Sequence, residues 1–187
     1  KIMLHHEISG NGKKPLVLLH GFMENTTIWD EMEAHLSKDF TLIKIDLPGH
    51  GKSKVYQEIH TVELMAEKVK EVIDALKLEK INLLGHSLGG YVSLAFAEKF
   101  PEILESMTLF FSTTVADDQE KKAIRRRSIA VIDENFETFV KTSIPNLFSN
   151  NEKDILEGKI ELAKNIAKST NKEGVKAAQL GMAERPD

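Results

Sequence analysis

The sequence predicts an α/β protein: a mostly parallel sheet flanked by helices, followed by an all-helical segment. Three observations carry this reading. Over residues 1–112, short apolar runs alternate with helical patterns. Runs such as Leu16-Val17-Leu18-Leu19 are continuous rather than alternating, which suits strands covered on both faces. From 113 to 187 apolar residues recur only at helical spacing, and no strand pattern returns. Strands alternating with helices imply β-α-β units and a parallel sheet. The two regimes divide the chain into a core part, 1–112, and a helical part, 113–187.

The elements follow in order. Residues 2–8 form a weak strand, ended by the turn composition Ser9-Gly10-Asn11-Gly12. Residues 16–19 are a buried strand. Asn25, Thr26 and Thr27 offer N-caps for a helix reaching about residue 36. Residues 41–45 are the next strand. Thr61 caps a helix whose apolar residues are Val62, Met65, Ala66, Val69, Val72, Ile73 and Leu76, one face at a 3.6 period. Residues 81–84 are another buried strand, and 88–100 a helix stopped by Pro101. Residues 104–111 read as the last strand. Beyond it, Phe136, Phe139, Val140 and Ile144 share one helical face, and Leu156, Ile160, Ala163 and Ala167 another. Asn150-Asn151 and Ser169-Thr170-Asn171 break the pattern, giving three or four helices.

Composition narrows the function classes. A chain of 187 residues holds one domain with a real core. Its net charge of -4 and lack of a basic stripe speak against nucleic acid as a partner. There are no cysteines, so disulfides and thiolate metal sites are excluded, and a reducing, cytoplasmic setting is expected. No secretory signal pattern opens the sequence, and no apolar stretch approaches the ~20 residues that span a bilayer.

The chemistry concentrates in loops after strands, where ligands of open α/β sheets bind. Gly85-His86-Ser87-Leu88-Gly89 follows a strand and opens a helix. A serine at so sharp a turn takes a strained backbone and projects its hydroxyl clear of the sheet. Chain passes close by, so the positions two before and two after it, Gly85 and Gly89, must be small. The helix from Leu88 turns its free N–H groups toward developing negative charge. His20-Gly21-Phe22 follows the 16–19 strand. Acyl transfer needs two N–H donors for a tetrahedral oxyanion. The backbone of Leu88 would supply one and that of Phe22 the other, with Gly21 letting the loop turn inward. Asp46-Leu47-Pro48-Gly49-His50-Gly51-Lys52-Ser53 reads as a stiff structural loop, since nothing in it is a plausible nucleophile.

These three motifs, in this order and spacing, resemble the α/β-hydrolase family, particularly its small lid-bearing carboxylesterases, lactonases and carbon–carbon bond hydrolases. The resemblance implies Ser87 as nucleophile, and Phe22 and Leu88 as backbone oxyanion donors. It implies His20, Gly21, Gly85, His86 and Gly89 as support, and a lid from Thr113 onward. A small acyl substrate is implied, with neither metal nor organic cofactor; the composition already speaks against a nucleic-acid or membrane partner. Asp stands at the elbow of dehalogenases and epoxide hydrolases, which disfavours those relatives.

The sequence departs from the family in one respect. Family order is Ser, then Asp or Glu, then His. The seven histidines are His5, His6, His20, His35, His50, His60 and His86, and none follows Ser87. His86 is expected to point away from its neighbour, and His20 and His50 to be structural. Asp117, Asp118 and Asp133 read as surface or capping residues rather than the triad acid. The expectation is a fragment that ends before the closing strands, acid and histidine. The isolated chain would then be nearly inactive, and 104–111 an exposed apolar edge. A complementing C-terminal segment or a swapped dimer would cover that edge. Arg125-Arg126-Arg127 reads as a solvated helix face. Trp29, Phe136, Phe139 and Phe148 line an acyl pocket or are simply core. Ester or lactone hydrolysis leads. The rivals are carbon–carbon bond cleavage or elimination on the same fold, and a non-catalytic ligand-binding protein on a hydrolase scaffold.

Overall fold

A computed structural model describes residues 2–187 of the chain. Five strands form one sheet: β1 (His6–Ser9), β2 (Lys14–Leu19), β3 (Phe40–Ile45), β4 (Ile81–His86) and β5 (Leu104–Phe110). Their spatial order is β1-β3-β2-β4-β5. β1 runs antiparallel to β3, and every other pairing is parallel. The continuous apolar runs fall where both faces of the sheet are covered. Val17, Leu19, Ile43 and Ile45 face a core shared with α2 (Val62–Ala75) and α3 (Leu88–Lys99). Leu16, Leu18 and Leu42 face the other side, against Trp29 and α1 (Asp30–Leu36). Trp29 is therefore core rather than pocket.

Local signals place these elements. The Thr61 side chain accepts the Leu64 N–H at 3.1 Å and starts α2, whose Val62, Met65, Ala66, Val69, Val72 and Ile73 are buried. Asn25 caps its helix too, but the first turn (Thr26–Trp29) is 3-10 and α1 follows from Asp30. Strand boundaries differ from expectation by one or two residues, and the start of β1 by four. Ser9 pairs with Leu42 inside β1, while residues 2–5 lie outside any strand. The His5 N–H donates to Ser53 Oγ, the His5 carbonyl accepts from Asp46, and the Ile2 carbonyl accepts from Tyr56. The segment is thus held by the 46–56 loop instead of a neighbouring strand. β4 also runs two residues further than expected, to His86.

The remaining helices are α4 (Gln119–Ser143), α5 (Glu157–Ser169) and α6 (Lys172–Glu184). Asn135 interrupts α4 at φ -154° and ψ 83°, and its side chain recaps the helix by accepting the Thr138 N–H. Phe136, Phe139, Val140, Ile144 and Phe148 gather in a second apolar cluster with Ala167 of α5 and Val175 of α6. Phe22 and Met23, from the loop after β2, join that cluster. Ala178 and Met182 of α6 face the main core.

Two charge assignments need correction. Asp117 is buried rather than at the surface, and its carboxylate pairs with both Arg125 and Arg185. Arg125 therefore is not part of a solvated face; it also donates to Gln179 of α6 at 2.9 Å. Arg185 lies with its guanidinium carbon 3.8 Å from the centre of the Tyr91 ring on α3. Asp118, by contrast, is the N-cap of α4, and Asp133 an exposed partner of Lys176.

At the sheet edge, β5 has β4 as its sole partner among the described residues, and Phe111 beyond it is 82% exposed. Among the described residues no helix is long and apolar enough to cross a membrane.

Candidate active site

The site forms where β2 and β4 end side by side. Leu19 of β2 is in register with Gly85 of β4, so the loop after β2 and the turn after β4 emerge together. Ser87 occupies the turn between β4 and α3 with φ 50° and ψ -112°. That left-handed backbone is costly for a residue with a Cβ, and persists only where surroundings over-determine it. The surroundings are specific. The Ser87 N–H donates to the Phe110 carbonyl at 3.1 Å. Its carbonyl accepts from the Ser112 hydroxyl at 2.8 Å and from the Gly90 N–H at 2.8 Å. The two flanking glycines are required by close approach. A Cβ on Gly85 would lie 2.2 Å from the Gly89 carbonyl oxygen, and one on Gly89 2.2 Å from that of Leu19.

The first turn of α3 therefore packs directly on the end of β2. Leu88 opens the helix and is buried, while Ser87 is half-buried. The first N–H groups of a helix lack intrahelical acceptors. Among the described residues, neither the Leu88 nor the Phe22 backbone N–H donates a hydrogen bond. Met23, next to Phe22, also takes a left-handed backbone, φ 59°, and is buried.

The histidines fall into two groups. His20 is fully buried; its Nε2 accepts the Leu47 N–H at 2.9 Å, so its Nδ1–H donates to the Gly21 carbonyl at 2.7 Å. Burial lowers its pKa to about 4. His50 is buried beside it, ring centroids 5.2 Å apart, and burial lowers its pKa to about 3. Both are neutral imidazoles wedged among backbone groups. His86 turns away from Ser87: its Nδ1 lies 2.9 Å from Glu24 Oε2, and its ring faces Phe110. Among the described residues no side chain is hydrogen-bonded to the Ser87 hydroxyl.

The Asp46 loop is built as a structural unit. One carboxylate oxygen of the buried Asp46 accepts the Thr26 N–H and the other the Lys52 N–H, each at 2.9 Å. Two residues at the site carried no sequence signal. Glu24 accepts the Gly21 N–H at 2.6 Å as well as meeting His86. Ser112 braces Ser87 from beyond β5. No group of three or more His, Asp or Glu side chains able to hold a metal ion occurs among the described residues.

This arrangement of sheet, turn and loop defines a class. The model of the alpha/beta hydrolase fold matches residues 14–155, and the chain belongs to that family. The chain is 36% identical to a thermophilic esterase from Thermogutta terrifontis, with a TM-score of 0.92 over 98% of this chain and 68% of that one. It shares its fold with the enol-lactonase of Burkholderia xenovorans LB400, TM-score 0.89 at 23% identity, over 97% of this chain and 70% of that one. Among curated proteins, an uncharacterized protein of Mycobacterium tuberculosis is 34% identical over 111 residues, 59% of this chain. The 2-hydroxy-6-oxononadienedioate/2-hydroxy-6-oxononatrienedioate hydrolase of Escherichia coli is 34% identical over 113 residues, 58% of this chain. The chain spans 32% of the length of the first of these and 39% of the second.

Proposed function

We propose that this chain carries the nucleophile of a serine hydrolase acting on a carboxylic ester, lactone or similar small acyl substrate. One observation carries the reading: Ser87 sits in a left-handed backbone between β4 and α3, fixed by glycines that admit no Cβ. The Ser87 oxygen attacks the acyl carbon, and its proton passes to a general base. The N–H groups of Phe22 and Leu88 receive the oxyanion. Collapse expels the alcohol with a proton and leaves an acyl-enzyme, which water then cleaves. The likeness to the Thermogutta esterase supports the ester class. Phe22, Phe136, Phe139 and Phe148 cluster beside the loop and suit the acyl side of the substrate. A second reading, carbon–carbon bond hydrolysis with the same Ser87, is favoured by the Escherichia coli relative.

A fluorophosphonate probe and a series of p-nitrophenyl esters test the proposal on the protein as its gene encodes it. Labelling is expected at Ser87 and is lost in Ser87→Ala, with turnover falling by ~10³-fold or more. An S87A variant that hydrolyses esters at the wild-type rate would sink the assignment. Among the described residues no side chain is hydrogen-bonded to the Ser87 hydroxyl as a base would be. Residues 1–187 expressed by themselves are expected to show only the ~10³–10⁴-fold catalysis that oxyanion donors and binding supply without a complete triad. Rapid stoichiometric labelling of residues 1–187 would contradict this.

A further inference from the structure

Two loops supply the proposed oxyanion donors, and one side chain joins them. Glu24 leaves the loop after β2 and reaches His86, the last residue of β4 and the neighbour of Ser87. A single carboxylate oxygen, Oε2, accepts the Gly21 N–H at 2.6 Å and stands 2.9 Å from His86 Nδ1. Burial disfavours the Glu24 charge, but the hydrogen bonds from His86 and from the Gly21 N–H favour it, and the pKa is held below the usual value. An ionised oxygen only accepts, so His86 must donate from Nδ1. The bridge also explains Gly21. A Cβ there would stand 2.8 Å from both Glu24 Oε2 and His86 Nδ1, so a side chain at position 21 would push on both ends of the bridge. The same loop is held by His20 Nδ1–H on the Gly21 carbonyl at 2.7 Å, by a weak turn from the Glu24 N–H to that carbonyl at 3.2 Å, and by the packing of Phe22 and Met23; of these ties only Glu24 reaches the Ser87 turn. Phe22 and Met23 lie inside that turn. On its other side, the Ser87 turn is fixed to Phe110 and Ser112.

We infer that Glu24 is a positioning residue for the reaction: its bridge to His86 sets the spacing between the N–H groups of Phe22 and Leu88. The inference rests on the serine-hydrolase reading above. Glu24 acts through the backbone, not on substrate. Its removal should weaken binding of the transition state rather than of the ground state. Misplacement by about 1 Å, or loss of a donor, costs on the order of 10²-fold in rate.

The test compares Glu24→Ala and Glu24→Gln in the protein as its gene encodes it. Two readouts are used: p-nitrophenyl acetate kinetics, and the amide exchange rate of Gly21 by NMR. E24A should lower kcat by about 30-fold with KM within about twofold. E24Q keeps a neutral oxygen in the Oε2 position and should stay within about fivefold of wild type. If E24A does not fold, His86→Ala cuts the same bridge and should show the same split. An E24A kcat within twofold of wild type overturns the proposal, and so does an E24Q loss equal to that of E24A. A wild-type protein that turns over no ester defeats the serine-hydrolase reading alone, and Gly21 exchange then decides the bridge. Exchange at least tenfold faster in E24A, with E24Q near wild type, supports it; equal rates in all three overturn it.

Discussion

Ser87 shows how closely the surroundings of a single residue can be specified. Its φ of 50° is held by hydrogen bonds to Phe110, Gly90 and Ser112, and the flanking Gly85 and Gly89 give the chain room to close around it. The role of these glycines was legible from spacing alone, because a serine turned so sharply leaves no room on either side. Glu24 was not legible. Its partner His86 lies 62 positions away, and nothing local marks the pairing. The burial of His20 and His50 was partly legible, since loop histidines beside a serine turn are ambiguous until their ring nitrogens are accounted for. The crowding makes a prediction. In Gly89→Ala the new Cβ would stand 2.2 Å from the Leu19 carbonyl oxygen, so the start of α3 must move off β2. Overpacking of this kind costs about 2 kcal/mol. Fluorophosphonate labelling of Ser87 should slow by at least tenfold, measured beside the urea midpoint. Wild-type labelling with unchanged stability would show that the first turn tolerates the methyl.

At the scale of elements, periodicity was the readable quantity. The buried face of α2 follows from its 3.6 spacing, and the Thr61 cap from the residue type before it. Thr61→Ala should cost about 1 kcal/mol in denaturant unfolding and leave Ser87 labelling untouched. An unchanged midpoint would mean that the cap contributes nothing. Asp117 was misread because its meaning is not local. As an acid two positions before a helix it looks like an N-cap, a role that Asp118 in fact fills. Asp117 instead joins Arg125 on α4 to Arg185 after α6, and Arg185 rests on Tyr91 of α3. The pairs bind the start of the helical segment to its end and to the core. Burial disfavours its charge, yet the hydrogen bond to Arg125 and the two guanidinium charges hold its pKa below the usual value. Asp117→Ala leaves two largely buried guanidinium groups without their carboxylate, and removing one partner of a buried pair costs about 3 kcal/mol. Proteolysis should then open the segment after Thr113 first. Equal protease resistance in wild type and variant would dismiss the latch.

For the whole molecule, the buried histidines set the acid limit of stability. His20 and His50 have folded pKa values of about 4 and about 3 against an ordinary 6.5, and His60 is shifted in the same direction, each chiefly by burial. Between these values the unfolded chain binds protons that the folded chain refuses. Stability therefore rises with pH, is fully present above about 6.5, and is lost as pH falls below it. For two such groups the loss between pH 7 and pH 5 is about 4 kcal/mol. The carboxylates with lowered pKa, Glu24 and Asp117, act in a lower window, below their ordinary values of 4.5 and 3.8, so the two effects separate. Urea titrations at half-unit steps from pH 7.5 to 5 measure the first window directly. His50→Gln removes one titrating group and should reduce the slope by up to half, the remainder coming from His20 and His60, whatever it does to stability at pH 7. A slope that the substitution leaves unchanged would mean that the folded protein admits a proton at His50, and that the 46–53 loop opens below pH 6.5.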